Sequence, residues 1–293
     1  MLDLFTEPLS NGTTLMALAQ IAVLGTVSGA VGCWVVLYEL SYSAESLAHG
    51  MFPGLVIAAL IGAPLLLGGA VGVLVAAALV AVATRLSGDS ADTAIAVVIT
   101  ALFGTGVLLA LSPSSPPGIQ GLLFGDLLGA TATDIAIAAT IGSAILGALW
   151  LLHHRLLAIG CDPGSAGSVG ISAALVNLIL LALVAVTVLV AVQGLGNLLV
   201  AAILVGPAAA ARQLTHRIGP MIAVSIGAAI SAGVIGIYAS YHLKTAAGAS
   251  VVVAILGLYI LSSLAAAARS HSGRLTPGVR SVRATPTSPT GAP

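Results

Sequence analysis

Residues 171–192 read ISAALVNLILLALVAVTVLVAV, 22 positions without one charged side chain. As an α-helix rising about 1.5 Å per residue, such a run is about 33 Å long, enough to cross a hydrocarbon layer about 30 Å thick. The rest of the chain repeats the pattern. Apolar runs separated by Gly, Pro and the few charges fall at 15–38, 46–61, 64–84, 91–111, 130–152, 171–192, 196–211, 221–240 and 250–267. These nine segments, two of them short, predict an all-α polytopic membrane protein of about eight or nine spans. Its parts are a tail at 1–13, a transmembrane domain at 14–268 and a disordered basic tail at 269–293.

Composition agrees. Of 293 residues, 59% are hydrophobic and 6% charged, with a mean hydropathy of +1.16. Soluble domains carry about 25% charged residues, so the solvent for most of this chain is lipid. A net charge of zero argues against nucleic-acid binding. Residues 1–13 hold Asp3 and Glu7 but no Lys or Arg, so no signal-peptide n-region is expected. Cys33 and Cys161 make no metal-ligand spacing and read as a core residue and a free loop thiol. Gly25/Gly29 and Gly68/Gly72 are GxxxG pairs suited to close helix packing. At 35 glycines such pairs arise by chance, and no dimer face follows from them.

Two segments are interrupted: 46–61 contains Pro53-Gly54, and 196–211 contains Gly206-Pro207. In lipid, broken backbone is tolerated where it lines a cavity, so these four residues are expected along a pathway. An ordinary proline kink is the alternative. Arg85, Arg155, Arg212, Arg217 and the C-terminal arginines fall on one side of a nine-span chain, which is then cytoplasmic. Lys244 falls on the other, and the N-terminus is expected outside. Trp34, Tyr38, Trp150, Tyr238 and Tyr241 stand at segment ends, where interfacial aromatics belong. Residues 112–117 form an outer turn, and 122–128 either re-enters or lies flat.

Ionisable residues within a span point to function. Glu45 and His49, four apart, share one helix face. A carboxylate and an imidazole there suit a divalent first-row metal. Glu45 as a solvated residue at the helix mouth, with His49 reaching the interface, is the bland alternative. His242, at the outer end of its segment, is an isolated candidate. His153, His154, His216 and His271 stand near arginines and read as interface residues. No GxxxxGK[ST] occurs and Lys244 is the sole lysine, so the chain carries no P-loop; no nucleophile–base pattern suggests an enzyme.

The run 40–54, LSYSAESLAHGMFPG, resembles the ABC-type permeases for zinc, manganese and iron: an acid, three residues, His, three residues, Pro-Gly. Further stretches in the same order support the likeness. They are Asp92-Thr93-Ala94-Ile95, residues 121–125 (GLLFG), Asp162-Pro163 with Gly170, and residues 193–200 (QGLGNLLV) running on to Gly206-Pro207 and Arg212. His242 followed by Gly248 matches another family position. The resemblance spans roughly 14–267. It implies the transmembrane half of a homodimeric importer in the plasma membrane. Two cytoplasmic ATPase subunits drive such importers, and an extracytoplasmic binding protein supplies the metal. Glu45, His49 and His242 would handle the transported ion, zinc or manganese before iron, with no resident cofactor. Asp162, Pro163 and Gly170 would mark the segment that docks on the ATPase. The family usually has Asp at the position of Glu45. Threading puts Glu45 and His49 toward the inside and His242 toward the outside, leaving one site or two stations open. A proton-coupled secondary transporter using Glu45 and His49 as a relay, or a membrane scaffold, are the alternatives from other classes.

Overall fold

The computed structural model describes residues 11–87, 91–113, 115, 118–119, 121–161, 172–215 and 217–274. Among these residues every regular element is helical. The helices are α1 (Gly12–Leu37), α2 (Ser41–Leu60), α3 (Leu65–Ser87), α4 (Ala91–Ala110), the one-turn α5 (Gly121–Phe124), α6 (Ala132–Cys161), α7 (Ala173–Leu195), α8 (Asn197–Leu214), α9 (Ile218–Leu243) and α10 (Ala247–Arg274). Each of the nine apolar segments lies on one of the nine long helices. Seven of these are long and apolar enough to cross a membrane. The other two are α2 and α8, the segments with Pro-Gly and Gly-Pro.

Burial separates a centre from a rim. In α1 the most apolar window is 72% buried, against 17% in α3, α4 and α10. The rim helices turn Leu67, Val71, Leu74, Leu108, Leu256 and Leu261 outward. Exposed apolar side chains are the stable arrangement where the surrounding medium is hydrocarbon. Around α1 pack α6, α7, α8 and α9.

Glycines make those contacts close. A Cβ on Gly32 would run into the Leu204 carbonyl of α8, and one on Gly29 would lie 3.0 Å from the Ile226 backbone of α9. Ser225 donates its hydroxyl to the Gly29 carbonyl at 2.9 Å. The Gly25/Gly29 pair thus seats α9. Gly68 and Gly72 of α3 sit against Gly54 of α2. Both pairs are internal packing surfaces, as expected where small residues let backbones approach in lipid.

Pro53 and Pro207 lie inside continuous helices, which corrects the expectation that these positions interrupt them. Proline removes one intrahelical hydrogen bond, and tight packing on neighbours holds the helix through it. Pro53 and Gly54 do border a cavity of about 310 Å³ between α2, α3 and α4, walled by apolar side chains. A Cβ on Gly206 would meet Ile255 of α10, and Pro207 is buried, so this pair is packed rather than cavity-lining. The helical break falls instead at Gly196, between α7 and α8, with φ 76° and ψ 159°. That region is essentially restricted to glycine.

Other expectations shift in detail. Trp34 is 1% exposed and therefore a core residue, stacked edge-on against Tyr38 and His153. Tyr38 donates its hydroxyl to the Leu156 carbonyl at 2.7 Å, tying α1 to α6. Tyr38→Phe should lower stability by about 1 kcal/mol, the usual net worth of one such bond, read as a small fall in melting temperature in detergent. Cys33 is buried, its thiol directed to the Gly29 carbonyl at 3.3 Å. Leu122, Leu123 and Leu127 are buried in the main core, so this short segment packs inward. Helix α10 runs to Arg274, beyond the boundary expected at 268.

Candidate metal site

Helix α1 ends in a tight reversal. Glu39 adopts φ 58°, its N–H donates to the Val36 carbonyl, and that of Leu40 to Val35. This is the double bond of a left-handed helix cap. It lets α2 begin at Ser41, so Glu45 stands within the helix, one turn before His49.

The two side chains approach each other, with His49 Nε2 3.8 Å from Glu45 Oε1. Glu45's side chain is 55% exposed and that of His49 23%. The imidazole lies against the ring of Phe103 from α4 at 4.6 Å, and Phe103 is also 5.6 Å from Phe52. Its other nitrogen, Nδ1, is 3.3 Å from Asn197 Nδ2. Asn197 is fully buried, and its Oδ1 has no hydrogen-bond partner among the described residues.

The break positions Asn197. Gly196 closes α7 by donating its N–H to the Val192 carbonyl, and α8 starts at the next residue. Gly125, at φ 81°, presses on the Leu195 carbonyl; a side chain there would collide with it. The loop after α5 thereby clamps the break that delivers Asn197 to His49. Asn197 belongs to the 193–200 run, but no local pattern marks it as a site residue.

Depth follows from helix register. Helices α1 and α9 are antiparallel, with Gly29 beside Ile226, Gly25 beside Ala229 and Ile21 beside Gly233. Extending that register places His242 at the level of α1's first turn. The Asn197 end lies lower, because Gly194 sits against Gln20. Eight residues between Gly12 and Gln20 put His242 about 12 Å further along the axis. His242 is exposed and rests edge-on against Tyr241 at 5.3 Å. The expectation that it could join Glu45 and His49 in one site is therefore not met. Among the described residues no three His, Cys, Asp or Glu side chains come together. At the other end of α8 stands Arg212. Fifteen residues separate it from His49's neighbour Asn197, about 22 Å along the helix. His49 thus lies far from the arginine-bearing face, deeper than threading suggested. Asp162, Pro163 and Gly170 lie outside the described residues.

A carboxylate and a neutral imidazole on adjacent turns offer two donors to a divalent ion. A family model for the ABC 3 transport family matches residues 11–266. The chain belongs to the ABC 3 transport family. The manganese transport system membrane protein MntC of Halalkalibacterium halodurans is 29% identical over 238 residues, covering 80% of this chain and 81% of that protein. The manganese import system permease protein ScaB of Streptococcus parasanguinis is 28% identical, over 78% and 82% of the two chains. Among solved structures, PsaBC from Streptococcus pneumoniae in complex with Fab matches with TM-score 0.83 and 28% identity, over 89% of this chain and 95% of that one. As a member of the ABC 3 transport family, the chain is a multi-pass permease of the plasma membrane, and the expectation drawn from its motifs holds at that level.

Proposed function

We propose that this permease carries manganese(II) inward through the membrane, with Glu45 and His49 binding the ion in transit. The observation that supports this most is the Glu45–His49 pair on one face of α2, held at the break between α7 and α8. Carboxylate oxygen suits manganese, and imidazole serves many first-row ions. The manganese relatives carry the choice of manganese over zinc and iron. Tetrahedral or octahedral coordination needs at least four donors, and one chain brings two here. Two copies of the chain would supply two carboxylates and two imidazoles, which is the argument for a homodimer. Cytoplasmic ATPase subunits would power it, and an extracytoplasmic metal-binding protein would load it.

The test is uptake by proteoliposomes holding the permease with its ATPase and binding protein. Manganese should accumulate only when ATP is supplied to the ATPase face, and collapse of a proton gradient should leave the rate unchanged. Uptake that follows the proton gradient without ATP would overturn this reading for a proton relay. Faster zinc than manganese uptake at equal free concentration would change the assigned metal.

A further inference from the structure

Asn197 meets the imidazole on the side away from Glu45, and it is the group that decides which ring nitrogen carries the proton. We propose that Asn197 is a positioning residue that selects the tautomer of His49 and so controls how tightly the site holds its metal. The inference rests on the reading of Glu45 and His49 as ligands.

The geometry supplies the argument. Glu45 lies on the Nε2 side of the ring, so an ion shared with Glu45 must bind the Nε2 lone pair. A neutral imidazole with that lone pair free carries its proton on Nδ1. Nδ1 faces the Asn197 amide at 3.3 Å. With Nδ2 toward the ring, as the structure has it, the amide donates and Nδ1 must accept. The ring proton then sits on Nε2, directed to the side of Glu45, and that nitrogen is closed to metal. Turned by half a rotation, the amide presents Oδ1, which accepts from Nδ1–H and leaves Nε2 open. The exchange is proton-neutral: Nε2 gives one proton to water and Nδ1 takes one up.

Two features suit Asn197 to this role. It is fully buried, so water does not substitute for its contact. Oδ1 has no partner among the described residues, so the orientation with Nδ2 on the ring leaves the oxygen unsatisfied. The reverse orientation would leave an N–H there instead. Each state has one unmet end, and neither is locked. The ligands stand on α2 and their orienting residue on α8, so affinity depends on how these two helices sit together. Outer partners of metal-binding histidines generally fix the tautomer in this way, and their loss costs about 10–100-fold in metal affinity.

The experiment uses the full chain assembled with its ATPase in lipid nanodiscs. Free manganese(II) is read by electron paramagnetic resonance, and the His49 ring by ¹⁵N-histidine solid-state spectra, assigned by difference against His49→Ala. Asn197→Leu, similar in outline without polar atoms, should bind manganese 10–100-fold more weakly at an unchanged melting temperature. Asn197→Asp, which only accepts, should bind at least as tightly as wild type. The ring in the metal-free wild type should be protonated at Nε2, and zinc, as a diamagnetic probe, should move the proton to Nδ1. Manganese affinity unchanged in Asn197→Leu, or equal losses in the Leu and Asp variants, would overturn the role. If neither variant folds, the wild-type spectra decide: an unchanged tautomer on adding zinc refutes it. Should His49→Ala bind manganese as wild type does, the ligand reading itself fails, a result separate from these.

Discussion

His49→Ala should abolish ATP-dependent manganese uptake in reconstituted vesicles, lowering the rate by more than the roughly 10–100-fold typical of losing an outer partner. In a homodimer one substitution removes two imidazoles. The carboxylates left behind hold a hydrated divalent ion weakly and without geometric preference. Glu45→Gln should act similarly, because a neutral amide loses the charge while keeping the reach. His242→Ala should change uptake far less, since the side chain is exposed and stands about a dozen ångströms along the axis from the pair. Equal losses in the two histidine variants would show that His242 is a second obligatory station. The comparison therefore settles the choice that the sequence leaves open.

The second large effect is structural. Gly32→Leu should prevent the assembled bundle from forming, seen as loss of the monodisperse peak in detergent. The Leu204 carbonyl occupies the place of a Cβ at Gly32, and Ala208 lies 3.2 Å from that place. Overpacking an apolar core costs about 1–3 kcal/mol when side chains can move. Here the obstacle is backbone, so α1 and α8 must separate along their length. Gly147→Ala in α6 is the contrast, because no atom lies within 4 Å of a Cβ there. Alanine favours a helix over glycine by about 0.5–1 kcal/mol, so that variant should melt no lower than wild type. A normal peak for Gly32→Leu would mean that the α1–α8 contact is not required for assembly.

Much of this architecture is legible in the chain because lipid imposes a simple rule. A helix that must hide its backbone in hydrocarbon declares itself by length and lack of charge, and seven of the nine long helices do so. The Glu45–His49 pair is legible for a related reason: four-residue spacing on a helix is a local property. What escapes depends on tertiary register. Asn197 is one polar residue in an apolar run, and its partner is 148 positions away. Trp34 looked interfacial because a segment end and the membrane surface coincide only when the helix stands at the rim. In α1, which sits at the centre, neighbouring helices cover that end. His242 could be placed only through the α1–α9 contact. Pro53 and Pro207 suggest breaks because proline lacks a donor, but both helices continue through them against tight neighbours.

The central position of α1 also bears on how the protein is made. Ribosomes release a chain from its N-terminus, so α1 is among the first long helices to enter the bilayer. Its closest partners, α8 and α9, are made near the end. Until they arrive, the small-residue groove of Gly25, Gly29 and Gly32 has no partner, whereas α6 and α7, made earlier, already reach Ser28 and Gln20. The helix at the heart of the finished molecule therefore keeps one face without its partners through most of synthesis. A nascent chain halted before α8 has no partner for that groove, and membrane quality control would meet an α1 whose glycine face is bare.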